Sequence, residues 1–535
     1  MLDNQETWNY RVPQESVLAS LRRQLSHAPG RVALNCVRPV RSGLEIRPLT
    51  VFGMALGVQR ARAVLAAAGV EPGDRVVISL SSPREFLCWI VACFSSGLTA
   101  VPIPAAGEMT MPAAFLDRVT GVLEDCAPRI VVVENRGRWE RAVEAQSFAV
   151  TVLEAGLIDA PLADAAAFEP FVDQPHAVTA FLQYTSGSTG KPKGVVVTHG
   201  NLCANCEANR VASRWTPEDH MVSWLPLHHD MGLVGTLISC VYSGITTSIM
   251  TPVSFLGRPV TWLRAIHELR ATLTAGPAFG YSLCVQKITD DQIKGLDLSC
   301  WRLAYVGAEP VTRAVLAEFG ARFARCGFSP LSLFPVYGLA EATLSATFPE
   351  PGLGPTFDSI DRRRLAADRR AVPVADSEPS AMCITCLGPA IPGHAVRIVS
   401  PETGAECAER EVGEVVISGP SISTHYFGEP DERRRTRVHT GDLGYLVAGR
   451  LYMVDRLKDM VIVAGQNYSC SDLESAIRDI AGIRRGMAIA FSTAGRHGTE
   501  GLVVVAEVDP RANRCLLDLE NDIRDRIRRR VGLNA

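Results

Sequence analysis

Apolar runs of two different periods alternate along the first part of the chain. ARAVLAAAGV (Ala61 to Val70) is rich in alanine and leucine and stops at the turn EPGD, which predicts a helix. DRVVISL follows as a short β-branched run, and REFLCWIVACF reads as the next helix. RIVVVE, from Arg129 to Glu134, is apolar at successive positions, as a strand covered on both faces would be. Units of this kind predict an α/β fold of parallel-rich sheets covered by helices.

The run from Phe86 to Ala105, FLCWIVACFSSGLTAVPIPA, is close to the ~20 residues of a membrane-spanning helix. Ser95, Ser96 and Gly97 interrupt it, and Pro102 and Pro104 break its second half. It predicts a buried helix, a turn and a short buried strand, with no integral membrane segment.

Between Pro349 and Pro392 the periodicity fades. PEPGLGPTFDSIDRRRLAADRRAVPVADSEP mixes proline, glycine and charge, and reads as a long loop or insertion. Strand-like runs return in VRIVSPETG, EVGEVVISGP and RLYMVDRLKDMVIVAGQNY. SDLESAIRDI then opens on the capping box Ser471 and Glu474, with Leu473, Ile477 and Ile480 on one helical face. The last stripe is Leu519, Ile523, Ile527 and Val531, with arginines on the other sides, a pattern typical of a solvated basic helix face.

Composition narrows the setting. A chain of 535 residues suggests roughly three to four structural units. Its net charge of -3 gives no global attraction to nucleic acid or an anionic membrane. Fifteen cysteines without framework spacing, behind a polar N-terminus unlike a signal peptide, point to a reducing cytoplasmic setting.

The densest candidate chemistry is YTSGSTGKPKG, Tyr184 to Gly194, which follows the strand-like AVTAFLQYT. Glycines let the backbone curl around an oxyanion. Thr185, Ser186, Ser188 and Thr189 supply hydroxyls, and Lys191 or Lys193 supplies charge. A Walker A loop is excluded, because Lys191 precedes Pro192 and Lys193 precedes Gly194. Two C-x-x-C pairs, Cys203/Cys206 and Cys383/Cys386, raise a zinc reading, but cysteine is also a common small core residue.

YTSGSTGKPKGVVVTHGNL resembles the phosphate loop of the adenylate-forming superfamily, and four further segments agree in order. VGAEPV (Val306 to Val311) is similar to its adenine turn, VYGLAEAT (Val336 to Thr343) to its aromatic-and-glutamate segment, HTGDLGYL (His439 to Leu446) to its ribose aspartate motif, and DRLKD (Asp455 to Asp459) to its hinge. The resemblance runs from about residue 50 to the C-terminus. It implies an N-terminal adenylation domain at 1–454, including a β-rich subdomain and an insertion at about 350–392. The hinge and a small α+β domain are then expected at 455–535.

The resemblance also implies roles. ATP would be held by Ser186, Gly187, Ser188, Thr189, Gly190, Lys191 and Lys193 at its phosphates. The adenine would meet Gly307, Ala308, Glu309 and the Tyr337, Gly338, Leu339, Ala340 segment. Asp442 and Arg456 would hold the ribose, and Thr185 with Glu341 would hold Mg2+ through oxygen. WLPLHHDMGLVG (Trp224 to Gly235) resembles the corresponding segment of fatty acyl-AMP ligases, which implies a fatty acid substrate and an acyl carrier protein as acceptor. On that resemblance His229 donates to oxygen near the acyl carboxylate and the α-phosphate. GPAFGYSLCVQKI (Gly276 to Ile288) agrees with that branch and carries no aspartate to hold a substrate ammonium. An acyl-CoA synthetase, or a weakly catalytic module that binds acyl-adenylate, are the alternatives. The superfamily places a catalytic lysine near its C-terminus, whereas the last lysine here is Lys458. The small domain is therefore expected to be incomplete, or the first half-reaction slowed by on the order of a hundredfold.

Overall fold

The computed structural model describes residues 15–41, 43–105, 112–143, 150–156, 168–185, 192–430, 434–457, 460–463, 466–494, 500–512 and 514–531. Two large sheets organise its first part. One has six strands in the order Thr151–Glu154, Ile130–Val133, Arg75–Ser79, Thr99–Pro102, Thr179–Thr185, Lys193–Thr198, parallel except for the last, antiparallel pair. The other has seven, in the order Leu333–Pro335, Leu303–Val306, Leu273–Gly276, His220–Ser223, Thr246–Ile249, Val32–Val40, Gly43–Thr50. It is also parallel except at its last pair. The sequence expectation of buried parallel strands therefore holds.

The long apolar run resolves as expected. Pro83–Ser95 is a helix, Gly97 turns the chain at φ +66°, and Thr99–Pro102 is a strand buried at every residue. The helix packs against strands of both large sheets and against the helix Val51–Ala67, which explains its apolar surface all round. Gly57 lets the two helices meet, since a Cβ there would lie 2.6 Å from Cys88 Sγ. Among the described residues no helix is long and apolar enough to cross a membrane.

An antiparallel sheet of Ala395–Val399, Gly413–Ser418, Arg437–Val447 and Arg450–Arg456 follows. The preceding stretch corrects the loop reading. Phe357–Asp361 pairs with Ala381–Thr385 around the helix Arg362–Asp368. Ile360, Leu365 and Ile384 share a core with Leu443, Tyr445 and Val454 of the antiparallel sheet. Dense proline and charge hid elements too short to show a period.

After Leu457 come the strand pairs Met460–Val463/Gln466–Ser469 and Ile483–Ala494/Glu500–Val508, and the helices Cys470–Ile477 and Leu516–Val531. Leu473, Ile477, Ile480, Leu519 and Ile527 form their core, with Ile523 packed against it. The Glu474 carboxylate accepts from the Ala490 N–H at 2.9 Å and ties the helix to a strand. Lys458 lies outside the described residues. All fifteen cysteines are free, and among the described residues no cluster of His, Cys, Asp or Glu suits a metal by itself. Cys203 and Cys206 are buried helix residues, and Cys386 sits in a hydrophobic core.

Candidate functional site

The carboxyl ends of parallel strands are where α/β folds place ligands. A cavity of about 710 Å³ opens there, between the large sheets and the antiparallel sheet. Thr185, Lys193, His229, Ala308, Tyr337, Gly338, Leu339, Ala340, Glu341, Asp442 and Arg456 all line it. They come from points up to 271 residues apart in sequence.

Thr185 and Lys193 are cross-strand partners at the open end of the hairpin Thr179–Thr185/Lys193–Thr198. The loop between them, with Ser186, Gly187, Ser188, Thr189, Gly190 and Lys191, lies outside the described residues.

Glu341 stands on a short 3₁₀ turn, Ala340–Ala342, that the fold clamps from several sides. A Cβ at Gly338 would lie 1.9 Å from the Leu344 carbonyl oxygen, so only glycine permits this close approach. Thr343 takes φ +68°, a costly conformation for a β-branched residue, and its hydroxyl donates to the Ser421 carbonyl at 2.6 Å. Asn205, fully buried, donates to the Ala342 and Ser345 carbonyls at 3.2 and 3.1 Å and accepts from the Ser345 N–H. The Ser423 N–H donates to the Glu341 carbonyl at 2.8 Å. The Glu341 side chain is itself held, because the Tyr426 hydroxyl donates to Oε1 at 2.7 Å. Burial, and then the Glu341 charge, push that phenol up to about 12.

Asp442 and Arg456 are opposed across the antiparallel pair Arg437–Val447/Arg450–Arg456. Arg456 Nε donates to Asp442 Oδ1 at 3.2 Å, and the Tyr337 hydroxyl donates to Oδ2 at 2.6 Å. Burial raises the Asp442 carboxyl above its ordinary range, while Tyr337 and Arg456 pull it back toward ionisation. Tyr337 is thus tied to Asp442 through its hydroxyl and lines the cavity beside it.

His229 ends a tight turn before the π-helix Met231–Ile238. Asp230 caps that helix by accepting from the Met231 N–H at 2.6 Å, and its Oδ1 lies 2.7 Å from His229 Nδ1. This hydrogen bond, followed by the Asp230 charge, raises the imidazole above its ordinary range despite partial desolvation. Gln183, on the strand Thr179–Thr185, donates to the His228 carbonyl at 2.8 Å and holds the turn.

In the turn after Leu303–Val306, Ala308, at φ +66°, lines the cavity, while Gly307 and Glu309 are not among its lining residues. Gly307 lies against Val336, where a Cβ would meet Cγ2 at 2.9 Å. Glu309 caps the helix Ala278–Lys287 by accepting from the Phe279 N–H. A glutamate beside a helix start satisfies orphan N–H groups, a role the sequence segment did not reveal.

Two features escaped sequence reasoning. One is the apolar part of the cavity lining, which includes Trp215, Met221, Ala275, Tyr305 and Phe348, residues that look like ordinary core in sequence. The other is the row Asn201, Asn205, Asn209. Asparagine at every fourth position of a buried helix was a visible signal of a polar stripe that holds backbone.

The oxygen donors suit a divalent cation shared with phosphates. Glu341 has one carboxylate oxygen not engaged by Tyr426, and the Thr185 hydroxyl lines the same cavity. A cation that keeps one or two protein oxygens and takes the rest from phosphate and water needs no larger cluster.

Residues 21–427 match the family described as AMP-binding enzyme. A medium-chain fatty acid–acyl-carrier-protein ligase, JamA, from Moorena producens is 32% identical over 492 residues, covering 88% of this chain and 82% of the relative. A ligase of the same description, TtuA, from Teredinibacter turnerae is 37% identical over 353 residues; the match spans 62% of this chain and about half of that relative, 54%. A solved structure from work on fatty acyl-adenylate ligases of E. coli and L. pneumophila superimposes with a TM-score of 0.89 at 30% identity, covering 98% of this chain and 94% of the other.

Proposed function

Since the chain belongs to the AMP-binding enzymes, within the fatty acyl-AMP ligases of the adenylate-forming superfamily, we propose that it joins a fatty acid to AMP and passes the acyl group to an acyl carrier protein. The observation that carries this reading is a single cavity lined by Glu341, Asp442 and His229 together with apolar residues. In the first step a carboxylate oxygen attacks the α-phosphorus of ATP, and the bond to pyrophosphate breaks. Both reactants are anions, so the site must offset their repulsion before they meet.

Lys193 supplies fixed positive charge at the phosphate end. His229, kept protonated to higher pH by Asp230, donates to oxygen where the carboxylate meets the α-phosphate. Asp442 accepts from ribose hydroxyls, and Tyr337 lies against the base. Glu341 and Thr185 would hold Mg2+, which would supply positive charge to offset that of the leaving group. The apolar part of the lining takes the tail and excludes water from the mixed anhydride.

The test is ATP–pyrophosphate exchange with C12 acid, followed by addition of either coenzyme A or a phosphopantetheinylated carrier protein. Exchange that depends on the acid, with transfer to the carrier alone, is the expected result. Robust acyl-CoA formation would replace this reading with an acyl-CoA synthetase. Absence of both exchange and acyl-adenylate binding would reject it.

A further inference from the structure

The segment from Ser423 to Phe427 crosses the site between its two anchored parts. Phe427 N–H donates to the Gly194 carbonyl at 2.7 Å, on the strand Lys193–Thr198, and Ser423 N–H donates to the Glu341 carbonyl at 2.8 Å. Between them stands Tyr426, whose hydroxyl donates to Glu341 Oε1. Two cations lie over its ring. Lys193 Nζ is 5.3 Å from the ring centroid, and the Arg435 guanidinium carbon is 4.3 Å from it.

Lys193 faces the cavity, whereas Arg435 is not among the residues that line it. Arg435 is fixed from its own side. Its N–H donates to the Thr424 carbonyl at 2.8 Å, and its Nε donates to the Ser423 carbonyl at 3.2 Å. Among the described residues no carboxylate forms an ion pair with it, and its guanidinium lies over the aromatic face. It belongs to the basic run Arg433-Arg434-Arg435, which lies just before the ribose motif and outside every segment of the family resemblance.

We propose that Arg435 is a positioning residue that acts through Tyr426 on Glu341, holding one carboxylate oxygen so that the other is presented to the divalent cation of the bound nucleotide. A cation over the ring polarises the phenol and pins its plane. The hydroxyl then remains a donor to Oε1, and the Glu341 carboxylate cannot rotate to offer that oxygen to solvent or to Lys193. Arg435 thereby tunes metal capture without touching nucleotide. This inference rests on the proposed adenylating function.

The test uses the full chain and the variants Arg435→Met, Arg435→Lys, Tyr426→Phe and Arg435→Met/Tyr426→Phe. Mn2+ binding is followed by electron paramagnetic resonance in the presence of a non-hydrolysable ATP analogue. Affinity for a metal-independent acyl-adenylate mimic, an acylsulfamoyl adenosine, is measured by calorimetry in EDTA, and thermal melts are recorded alongside. Arg435→Met is expected to raise the Mn2+ half-saturation about tenfold, the scale of a partly desolvated cation–π contact. Its mimic affinity should stay within about twofold of the parent chain, while its melting point falls modestly through the lost hydrogen bond to the Ser423 carbonyl. Arg435→Lys should recover most of the loss. Tyr426→Phe should match it, and the double variant should add nothing further.

An unchanged Mn2+ half-saturation in Arg435→Met overturns the inference, as does a double variant whose losses multiply. Equal loss of mimic affinity and metal affinity would also overturn it, by assigning Arg435 a general structural role. If the parent chain fails to bind the mimic, the adenylating function itself falls, which separates that failure from the others.

Discussion

Gly232 is the residue whose replacement by alanine tests the His229 turn most directly. It sits in the first turn of the π-helix, where an added Cβ would lie 2.1 Å from the Pro226 carbonyl oxygen and 2.8 Å from its carbon. Both are backbone atoms, so no side chain can swing aside. Reaching an ordinary contact requires the 226–232 turn to open by about 1 Å. The same carbonyl accepts from the His229 N–H at 3.2 Å, so the opening pulls directly on the imidazole's own backbone. Overpacking of this kind costs about 1–3 kcal/mol of stability. A catalytic group displaced by about 1 Å loses on the order of a hundredfold in rate. Gly232→Ala should therefore lower kcat for pyrophosphate exchange by about that factor. Nucleotide affinity should hold, because Tyr337 and Asp442 stand on other elements. Gly257→Ala is the control: nothing lies within 4 Å of the place its methyl group would take, and it should be silent in melts and rates. A Gly232→Ala enzyme with native kcat and native melting temperature would refute the account of how His229 is placed.

Two further outcomes follow from the charged pairs. Asp230 raises the His229 pKa, so the pair's contribution is complete below the unfolded histidine value near 6.5 and is lost as pH rises through the higher folded value. Asp230→Asn keeps an acceptor for the Met231 N–H but removes the charge, and should move the alkaline limb of the exchange rate to lower pH; an unmoved limb would exclude His229 as the group that titrates. Tyr337→Phe removes a donor from the buried Asp442 carboxylate and should cost about 1–3 kcal/mol in urea unfolding at neutral pH. Because burial raises that carboxyl, the cost should shrink as pH falls and the group protonates, and a pH-independent cost would show that the lost contact was packing alone.

How much of this was legible in sequence depends on whether a residue's partners lie nearby. The buried helix Pro83–Ser95 and the strand Thr99–Pro102 could be read because their surroundings leave a local mark: unbroken apolar sequence, then a glycine at the turn. The 349–392 segment could not, since Phe357–Asp361 is stabilised by Ala381–Thr385 and by a sheet that begins later in the chain. Within the site, resemblance points to Glu341 and Asp442, but neither the Tyr426 bond to one nor the Tyr337 bond to the other has a local signature. Glu309 carries a local role that its segment does not announce: its carboxylate accepts from the Phe279 N–H at a helix start.

The asparagine row of the helix His199–Ala212 lies between these cases. Asn201 donates to the Pro420 and Ile422 carbonyls, and Asn205 to those of Ala342 and Ser345, so a single helix face pins two separate segments that flank Glu341. A buried amide is retained only where its hydrogen bonds are met, and backbone carbonyls outside regular structure are the groups most in need of a donor. A polar stripe at spacing four inside an otherwise apolar helix therefore signals, from sequence alone, that irregular backbone must pack against that face. What sequence cannot supply is which backbone. Here it is the turn that carries Glu341, held in part by a helix that contributes Asn209, but no charged group, to the cavity wall.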